Sequence, residues 1–353
     1  MTGTMRIGIL TSGVVWAPGG SYRVVYEYAN RLIQRGHDVH IVYPILVNSI
    51  LMNLTGIIQF ARSLLKSTDR IVAWFPLHSC VHKHKVIGVQ THPFTVLPEA
   101  DVWLGMLPLP HIFSWLKSAG KPFIVLVQHP KEVMYAANSQ IPLIVVSRFL
   151  FEQLSSYGVE RLFLVPNGVD ISVFYPKYPI KERPKTIGMT YVPKGFKDPH
   201  TGLEALYLVK QVKPDVEIIM FGPTRRPPKV QIPITFYSRV PAEKVADIYN
   251  RCAVFMSSSK SEGFCLPVLE AMACGCAVVT TDSGGVRDFV EHGENALVVP
   301  PGDPRAIADA ILYLLDNPTV RCQLAKNGVE KARQMTWDAS VEQLERILQE
   351  IAR

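Results

Sequence analysis

The chain has 353 residues, of which 48% are hydrophobic and 19% charged, a composition typical of globular proteins and a length that suits two domains of about 170 residues each. No run approaches the roughly 18 consecutive apolar residues of a membrane-spanning helix. The formal net charge is +7, and residues 1–170 hold most of it, with 14 Lys and Arg against 9 Asp and Glu; this favours an anionic partner, whereas the lack of a Lys/Arg-rich run, zinc-finger spacing or an RNA-binding motif argues against nucleic acid.

The first forty residues predict a βαβ unit with a glycine-containing loop. Arg6–Leu10 is a short apolar strand, Ser21–Arg35 a helix with one apolar face, and Val39–Tyr43 the next strand. Gly19 and Gly20 lie where the loop meets the helix. The loop lacks the full G-x-G-x-x-G pattern of a dinucleotide-binding turn, which argues against a dehydrogenase.

The same alternation of strands and helices continues along the chain and is interrupted by a proline-rich segment, Tyr175–Lys185, which is the predicted linker. The sequence therefore predicts two doubly wound α/β domains, over residues 1–174 and 186–336. The further predicted strands are Phe123–Val127, Leu143–Val146, Leu162–Val165, Thr186–Met189, Glu217–Phe221, Ala253–Ser257 and Ala277–Thr281. The further predicted helices include Thr201–Lys210, Ala242–Asn250, Pro267–Cys274 and Pro304–Leu315. Ligands of such folds bind at the carboxyl ends of the strands.

A helical stripe of apolar residues runs through Pro44–Lys66. Core packing is the simpler interpretation. The alternative is a helix that faces the membrane, assisted by Arg62 and Lys66. Six cysteines without paired spacing, and a first strand with no signal peptide before it, predict a reduced cytoplasmic protein, with peripheral contact at the inner face of the cell membrane as a further hypothesis.

The stretch His78–His84 (HSCVHKH) looks like a metal-binding cluster. Zinc sites need about four ligands on a defined scaffold, and no second Cys/His pair follows at matching spacing. The interpretation favoured here is a loop and a strand with incidental histidines, so no metal site is predicted.

The segment Ser261–Cys276 (SEGFCLPVLEAMACGC) carries two glutamates eight positions apart. Glu262 is predicted in the loop after a strand, and Glu270 in the first turn of a helix that Pro267 begins. Between them, the N–H groups of Gly263–Leu266 lead into the helix N-terminus, which is a natural anion site. Ionised carboxylates accept hydrogen bonds from hydroxyl groups. The segment therefore favours a ligand with both phosphates and hydroxyls, such as a nucleotide sugar.

Two other interpretations of these glutamates stay open. Glu270 could merely offset the helix dipole while Glu262 is a solvated loop residue. The pair could also be a glycosidase acid and base, although neither flank supplies an apolar pocket to raise one pKa.

From Glu262 to Pro304 the sequence (EGFCLPVLEAMACGCAVVTTDSGGVRDFVEHGENALVVPPGDP) resembles the signature of retaining glycosyltransferases of the GT-B fold, family 4, also called glycosyl transferases group 1. Further segments that resemble the family are residues 18–44, 146–176, 193–198 and 335–344. The resemblance implies two doubly wound Rossmann-like domains that face a central cleft. It also implies that a helix from Trp337 crosses back, so that residues 337–353 join the first domain.

The resemblance implies donor-binding roles within the glutamate segment. Glu270 would hold the ribose hydroxyls of the nucleotide, and Glu262 would contact hydroxyls of the donor sugar as a catalytic residue. The N–H groups of four consecutive residues would help to hold the sugar and the phosphates. These residues are Gly263, Phe264, Cys265 and Leu266.

The resemblance also implies roles outside that segment. Lys194 would contact the diphosphate, Gly19 and Gly20 would line its other side, and His129 would face the donor sugar, with Lys194 and His129 counted as catalytic. The main chain around Arg239 and Val240 would meet the base.

Two positions depart from the family pattern. Met189 stands where the family usually has an arginine, so another cation, Lys197, Arg225 or Arg226, would have to balance the charge that develops on the leaving diphosphate. Cys265 stands where a glycine is common, and its side chain adds bulk beside the sugar.

Taken together, the resemblance implies a retaining, metal-independent hexosyltransferase with no cofactor besides its donor substrate. The donor would be a UDP-, GDP- or dTDP-sugar, and the acceptor a glycan or a lipid-linked hydroxyl at an anionic membrane, in surface polysaccharide or glycolipid assembly. The alternatives are a phosphorylase or epimerase of similar build, and a nucleotide- or glycan-binding homologue weakened in catalysis, which Met189 suggests.

Overall fold

The computed structural model describes residues 3–13, 19–46, 75–88, 93, 96–107, 115–117 and 120–353. The helix predicted over Pro44–Lys66 lies outside these ranges from residue 47 onward, and Arg62 and Lys66 with it; residues 44–46 belong to a strand. Within the described ranges, no helix has the length and apolar content needed to cross a bilayer.

The chain divides into two compact units. The first comprises Met1–Val146, Leu150–Val165 and Trp337–Arg353, and the second Ser147–Phe149 and Pro166–Thr336. The predicted linker, residues 175–185, falls within the second unit. The division into functional domains over residues 1–174 and 186–336 stays a prediction.

The first unit contains a parallel sheet whose seven described strands are ordered β3-β2-β1-β4-β5-β6-β7. The strands are β1 (Arg6–Leu10), β2 (Asp38–Leu46), β3 (His82–Gly88), β4 (Val102–Met106), β5 (Phe123–Val127), β6 (Leu143–Val145) and β7 (Leu162–Leu164). The central strands are short runs of buried apolar residues, because a parallel sheet is covered on both faces.

The second unit contains a parallel sheet of six strands in the order β10-β9-β8-β11-β12-β13. The strands are β8 (Thr186–Thr190), β9 (Glu217–Gly222), β10 (Thr235–Ser238), β11 (Val254–Ser257), β12 (Ala277–Thr281) and β13 (Leu297–Val299). These two sheets confirm the predicted doubly wound α/β architecture.

Helices connect the strands and supply the other half of each core. They are α1 (Gly20–Gln34), α2 (Val133–Ala137), α3 (Arg148–Ser156), α4 (Pro199–Val212), α5 (Ala242–Arg251), α6 (Leu266–Ala273), α7 (Pro304–Asp316), α8 (Pro318–Arg333) and α9 (Trp337–Ala352). Proline occupies the first turn of α4, α6, α7 and α8, where its missing N–H leaves no hydrogen bond unmade.

The C-terminal helix α9 packs on α1 within the first unit. Trp337 meets Tyr28 edge to face, with ring centroids 6.0 Å apart. The buried Glu345 carboxylate lies 2.6 Å from Arg35 and 2.9 Å from His37. Burial alone would raise the pKa of Glu345, but these two partners outweigh it and hold the pKa below its ordinary value. The ion pair between this buried carboxylate and the exposed Arg35 therefore fastens α9 to the end of α1.

Arg183 shows how the predicted linker segment packs. Its guanidinium is buried and donates to the carbonyl oxygen of Cys252 at 3.1 Å and of Cys274 at 2.5 Å, and to Oδ1 of Asn250 at 3.3 Å. These oxygens lie at the ends of α5 and α6. The segment therefore caps two helices of the second unit.

Candidate active site

The candidate site of the second unit lies at the carboxyl end of its sheet, between β8 and β11. The chain passes from β8 to β9 on one side, and β11 pairs with β8 on the other, so the strand order reverses here. Ligands of doubly wound sheets bind at such a reversal. The loops after the two strands meet, since Lys260 N–H donates to Phe196 O at 2.8 Å and Ser258 Oγ to Asp198 O at 2.8 Å.

Glu262 lies in the loop after β11 and is only 5% exposed. Its Oε1 accepts hydrogen bonds from Ser259 Oγ at 2.6 Å and from Lys197 Nζ at 2.5 Å. Its Oε2 has no hydrogen-bond partner among the described residues. The solvated-loop interpretation of Glu262 is therefore wrong: the carboxylate is held in place, with one oxygen left to accept a bond from a ligand hydroxyl.

Lys197 brings a positive charge to this carboxylate. Burial alone would lower the pKa of its amine, but the Glu262 carboxylate outweighs burial and raises the pKa above its ordinary value. The amine is therefore protonated at neutral pH. On the sequence alone, Lys197 is only one of three possible cations, because its distance from Glu262 along the chain gives no indication that the two side chains meet.

Glu270 lies in the second turn of α6, because the helix begins at Leu266. Its predicted place in the first turn is wrong, and dipole effects fall off beyond that turn, which weakens the interpretation that Glu270 merely offsets the dipole. The carboxylate is buried and accepts a hydrogen bond from Tyr249 OH at 3.1 Å. Burial, followed by the Glu270 charge, raises the pKa of Tyr249 well above its ordinary value, so the phenol stays a donor.

The loop from Gly263 to Leu266 is buttressed by the turn after β12. Glu262 N–H donates to Ser283 O at 2.8 Å, and Gly285 N–H donates to Glu262 O at 3.1 Å. A Cβ on Gly285 would lie 2.4 Å from the carbonyl carbon of Gly263, so only glycine permits this close approach. Phe264 packs on Phe289, with ring centroids 5.0 Å apart.

Cys265 occupies a strained position immediately before α6. Its φ of 78° is left-handed, a conformation that favours glycine, and glycine is the residue that the resembling family carries here. Burial raises the pKa of the Cys265 thiol to about 12, so the thiol is neutral. Its Sγ lies 3.9 Å from Ser257 Oγ.

The remaining predicted residues of the second unit lie around the same edge. Lys194 is exposed after β8, with its Nζ 5.9 Å from the centre of the Phe196 ring. Arg239 follows β10; its N–H donates to Gly222 O at 2.9 Å and its Nε to Pro223 O at 2.8 Å. Val240 is half-buried beside it.

Met189 lies in the core of the second unit and is 2% exposed. Its terminal methyl would be 2.5 Å from a Cβ on Gly202, which places it against α4. This position therefore supplies no charge to the site. Arg225 and Arg226 are exposed in the loop after β9, whereas Lys197 touches Glu262 directly.

The predicted residues of the first unit lie at the carboxyl ends of β1 and β5. Gly19 precedes α1 and Gly20 begins it, and a Cβ on Gly20 would meet no atom within 4 Å. His129 follows β5, and its Nδ1 accepts from Lys131 N–H at 3.1 Å. Gln128 Nε2 donates to Ser21 O at 3.2 Å, which joins the two loops. Their predicted contacts with a donor stay predictions.

Glu132 supports His129 and gives the first unit a pH-dependent stability. Its Oε2 accepts from the N–H groups of Gln128 at 2.7 Å and His129 at 3.2 Å. Burial raises the pKa of Glu132 from 4.5 to about 7, although these hydrogen bonds oppose it. The folded state thus holds this proton more tightly than the unfolded state, so the stabilisation is complete below pH 4.5 and lost as the pH rises through 7.

We expect the Glu132 carboxyl to lower the free energy of unfolding by about 2 kcal/mol between pH 5 and pH 7.5. Glu132→Gln keeps an acceptor oxygen and does not titrate, so the loss should be smaller by this amount in the variant. Urea unfolding at several pH values measures the difference. Parallel stability curves for the two proteins would contradict the assignment.

Two hydroxyl contacts of the site were missed in the sequence. Tyr249 lies inside a helix predicted from its apolar face, and Ser259 lies in an ordinary polar loop. The spacing of these residues in the sequence does not indicate either contact. Tyr249 reaches Glu270 only because α5 packs beside α6, and Ser259 reaches Glu262 only because the loop after β11 folds back.

Comparisons with known proteins agree with this architecture. Residues 174–335 match the family model for glycosyl transferases group 1. A phosphatidyl-myo-inositol mannosyltransferase of Mycobacterium leprae is 26% identical over 383 aligned positions, which cover 99% of this chain and 97% of that one.

Two solved structures share the fold. Sucrose-phosphate synthase from Thermosynechococcus elongatus has a TM-score of 0.73 at 19% identity, over 98% of both chains. The Anabaena protein HepE, solved in complex with UDP-glucose, has a TM-score of 0.70 at 16% identity, over 98% of this chain and 100% of that one. The part of the chain that matches the glycosyl transferases group 1 is thus most of the second unit, and the chain has the GT-B fold.

Proposed function

We propose that the protein is a retaining glycosyltransferase that moves a sugar from a nucleotide-diphosphate sugar to an acceptor hydroxyl. The observation that carries the proposal is the pair of buried carboxylates, Glu262 and Glu270, at the carboxyl end of the second sheet. Each is oriented by a hydroxyl donor, Ser259 or Tyr249. Two fixed acceptors, one before the loop that enters α6 and one in the second turn of that helix, suit a ligand with hydroxyls on both sides of its phosphates.

The proposed donor lies along this loop. The ribose hydroxyls bind Glu270, the sugar hydroxyls bind Glu262, and the N–H groups of Gly263–Leu266 meet the sugar and the phosphates. The main chain at Arg239 and Val240 contacts the base; because the N–H of Arg239 already binds Gly222, its carbonyl and the N–H of Val240 are the groups proposed for this contact. The solved complex of HepE with UDP-glucose supports a nucleotide-sugar donor.

In the proposed reaction the bond between the anomeric carbon and the diphosphate breaks, and an acceptor hydroxyl takes the sugar with retention. Negative charge grows on the departing diphosphate, and preorganised cations stabilise such charge. Lys194 and Lys197 are the cations proposed for this stabilisation, so the proposed mechanism uses protein side chains rather than a metal. The predicted contacts of Gly19, Gly20 and His129 with the donor belong to the same proposal.

The proposed acceptor is a glycan or a lipid-linked hydroxyl. The relative from M. leprae is named for mannosyl transfer to a phosphatidyl-inositol, and it aligns over 99% of this chain. A lipid-linked acceptor would bring the protein to the cytoplasmic face of a membrane in glycolipid or surface polysaccharide assembly. The net charge of +7 supports contact with anionic lipid.

One observation favours a second candidate, a nucleotide-binding homologue without transferase activity. Met189 is buried in the core where the family carries an arginine. If Lys197 does not replace that charge, the site would bind a nucleotide sugar without breaking the bond between its anomeric carbon and its diphosphate.

Release of nucleoside diphosphate from UDP-, GDP- and dTDP-sugars tests the proposal. We expect the sugar nucleotides of one base to release nucleoside diphosphate slowly by hydrolysis and faster when an acceptor is present. Glu262→Gln should reduce both the hydrolysis rate and the transfer rate. Glu294→Gln, at an exposed position, is the matched control and should leave both unchanged. Binding of a nucleotide without turnover would favour the second candidate, and neither binding nor turnover would contradict both.

A further inference from the structure

We infer that the first unit has a binding site for a zinc ion on the outer edge of its sheet, formed by Asp38, His40 and His82. One ligand atom from each residue lies within 4.8 Å of the others. The three residues lie at the start of β2 and β3, and they have no role in the proposed transfer reaction.

Strand register brings these residues together. His40 of β2 is the direct partner of His82 of β3, and Val42 is the partner of His84. Since alternate residues of a strand share a face, Asp38 and His40 lie on the same face as His82 and His84. Four polar side chains with metal-binding chemistry thus form one cluster on two neighbouring strands.

The geometry around Asp38 is that of a ligand set. Its Oδ2 lies 3.1 Å from His40 Nε2, and its Oδ1 lies 3.3 Å from His82 Nε2. Zinc binds imidazole nitrogen and carboxylate oxygen at about 2.0–2.2 Å, and adjacent ligands of a tetrahedral ion are then about 3.3 Å apart. Each carboxylate oxygen is thus as far from one imidazole nitrogen as two ligands of one zinc ion are from each other, and the ligand atoms of all three residues lie within 4.8 Å of one another.

His84 provides the supporting contact that metal-bound histidines usually have. Its Nε2 lies 2.9 Å from Nδ1 of His40. A hydrogen bond at Nδ1 fixes the ring of His40 and directs Nε2, the other nitrogen, toward Asp38. The rings of His40 and His82 are stacked, with centroids 4.7 Å apart and planes 19° apart. Each Nε2 lies beside one oxygen of the Asp38 carboxylate.

Two imidazoles and one carboxylate select zinc over magnesium or calcium, which prefer oxygen ligands. Asp38 and His82 begin their strands, so the cluster lies at the amino end of the sheet. Gly19 and His129 lie at the carboxyl end of the same sheet. The ion would therefore join the edge strand β3 to β2, which is its sole strand partner in the described part of the chain, and would leave the donor site untouched.

Competition with a chromophoric zinc chelator at pH 7.5 tests the site. We expect wild-type protein to bind one zinc ion per chain, and His82→Ala and Asp38→Asn each to weaken binding more than tenfold, because even loss of an outer partner of a ligand costs 10- to 100-fold. His200→Ala, at an exposed position of α4, is the matched control and should bind as wild type does.

His82 has 57% of its side chain exposed and Asp38→Asn keeps the shape of the residue, so both variants should fold, which circular dichroism checks. Zinc, but not magnesium, should raise the melting temperature of wild type by a few degrees and leave both variants unchanged. Wild type that does not bind zinc would overturn the inference. So would variants that both bind zinc as tightly as wild type does, since the ion would then lie elsewhere, for example at the exposed Cys80.

Discussion

Replacing Lys197 by methionine is expected to lower kcat for sugar transfer by about 10²- to 10³-fold with little change in donor KM. Removing one group that stabilises developing negative charge usually costs this much, and Met189 supplies no charge at the position where the family usually has an arginine. The amine lies 2.5 Å from Glu262 and is held protonated by it. Initial-rate kinetics with the preferred donor measures the effect.

The variant Lys260→Met is the matched control for this substitution. Lys260 lies two residues before Glu262, pairs with Asp198 at 3.1 Å and has 56% of its side chain exposed. We expect its kcat to stay within about threefold of wild type, because Lys260 is exposed and Asp198 keeps its hydrogen bond from Thr201 at 2.6 Å. Lys197→Arg should recover part of the rate. If Lys197→Met kept the wild-type kcat, the charge on the diphosphate would have to be balanced elsewhere, as at Lys194, Arg225 or Arg226.

Replacing Glu270 by alanine is expected to raise the Kd for the nucleoside diphosphate about thirtyfold. The carboxylate accepts charge-assisted hydrogen bonds, whose loss costs roughly 1.5–3 kcal/mol, and about 2 kcal/mol corresponds to this factor. The loss also leaves the buried Tyr249 hydroxyl without its acceptor. Glu270→Gln keeps that acceptor and should bind with intermediate affinity. Inhibition of the transfer reaction by the product nucleotide gives the same ranking.

Local patterns were enough to predict the elements that carry the site. Three strands, at Arg6, Phe123 and Ala277, begin and end at the predicted residues. The helix that Pro267 marks begins one residue earlier than predicted. These predictions succeed because a buried parallel strand is an unbroken apolar run and proline marks a helix start.

Contacts between distant segments could not be predicted in this way. Lys197 and Glu262 are 65 residues apart, and they meet because β8 and β11 are neighbours in the second sheet, an order that no local pattern contains. On the sequence alone, the histidines of the stretch His78–His84 are interpreted as incidental for the same reason. Their partners, Asp38 and His40, lie on another strand and become visible only with the register of β2 and β3.

The helix dipole interpretation of Glu270 shows a different limit. The sequence placed this residue in the first turn, where a carboxylate favours the helix by charge alone. The structure places it in the second turn, buried against Tyr249. A shift of one residue in the helix start thus moves Glu270 from the first turn to the second and changes the role that its charge can have, and helix ends are where local patterns are least precise.

Isothermal titration of the full chain with UDP, GDP, dTDP and ADP tests the central claim most directly, because it asks whether the second unit holds a nucleoside diphosphate at Glu270. One nucleotide should bind wild type at a single site. Glu330→Ala, an exposed glutamate of α8, should bind like wild type, and Glu270→Ala about thirtyfold more weakly. Equal affinity of the Glu270 variant and wild type, or no binding of any of the four to folded protein, would contradict the assignment of this site.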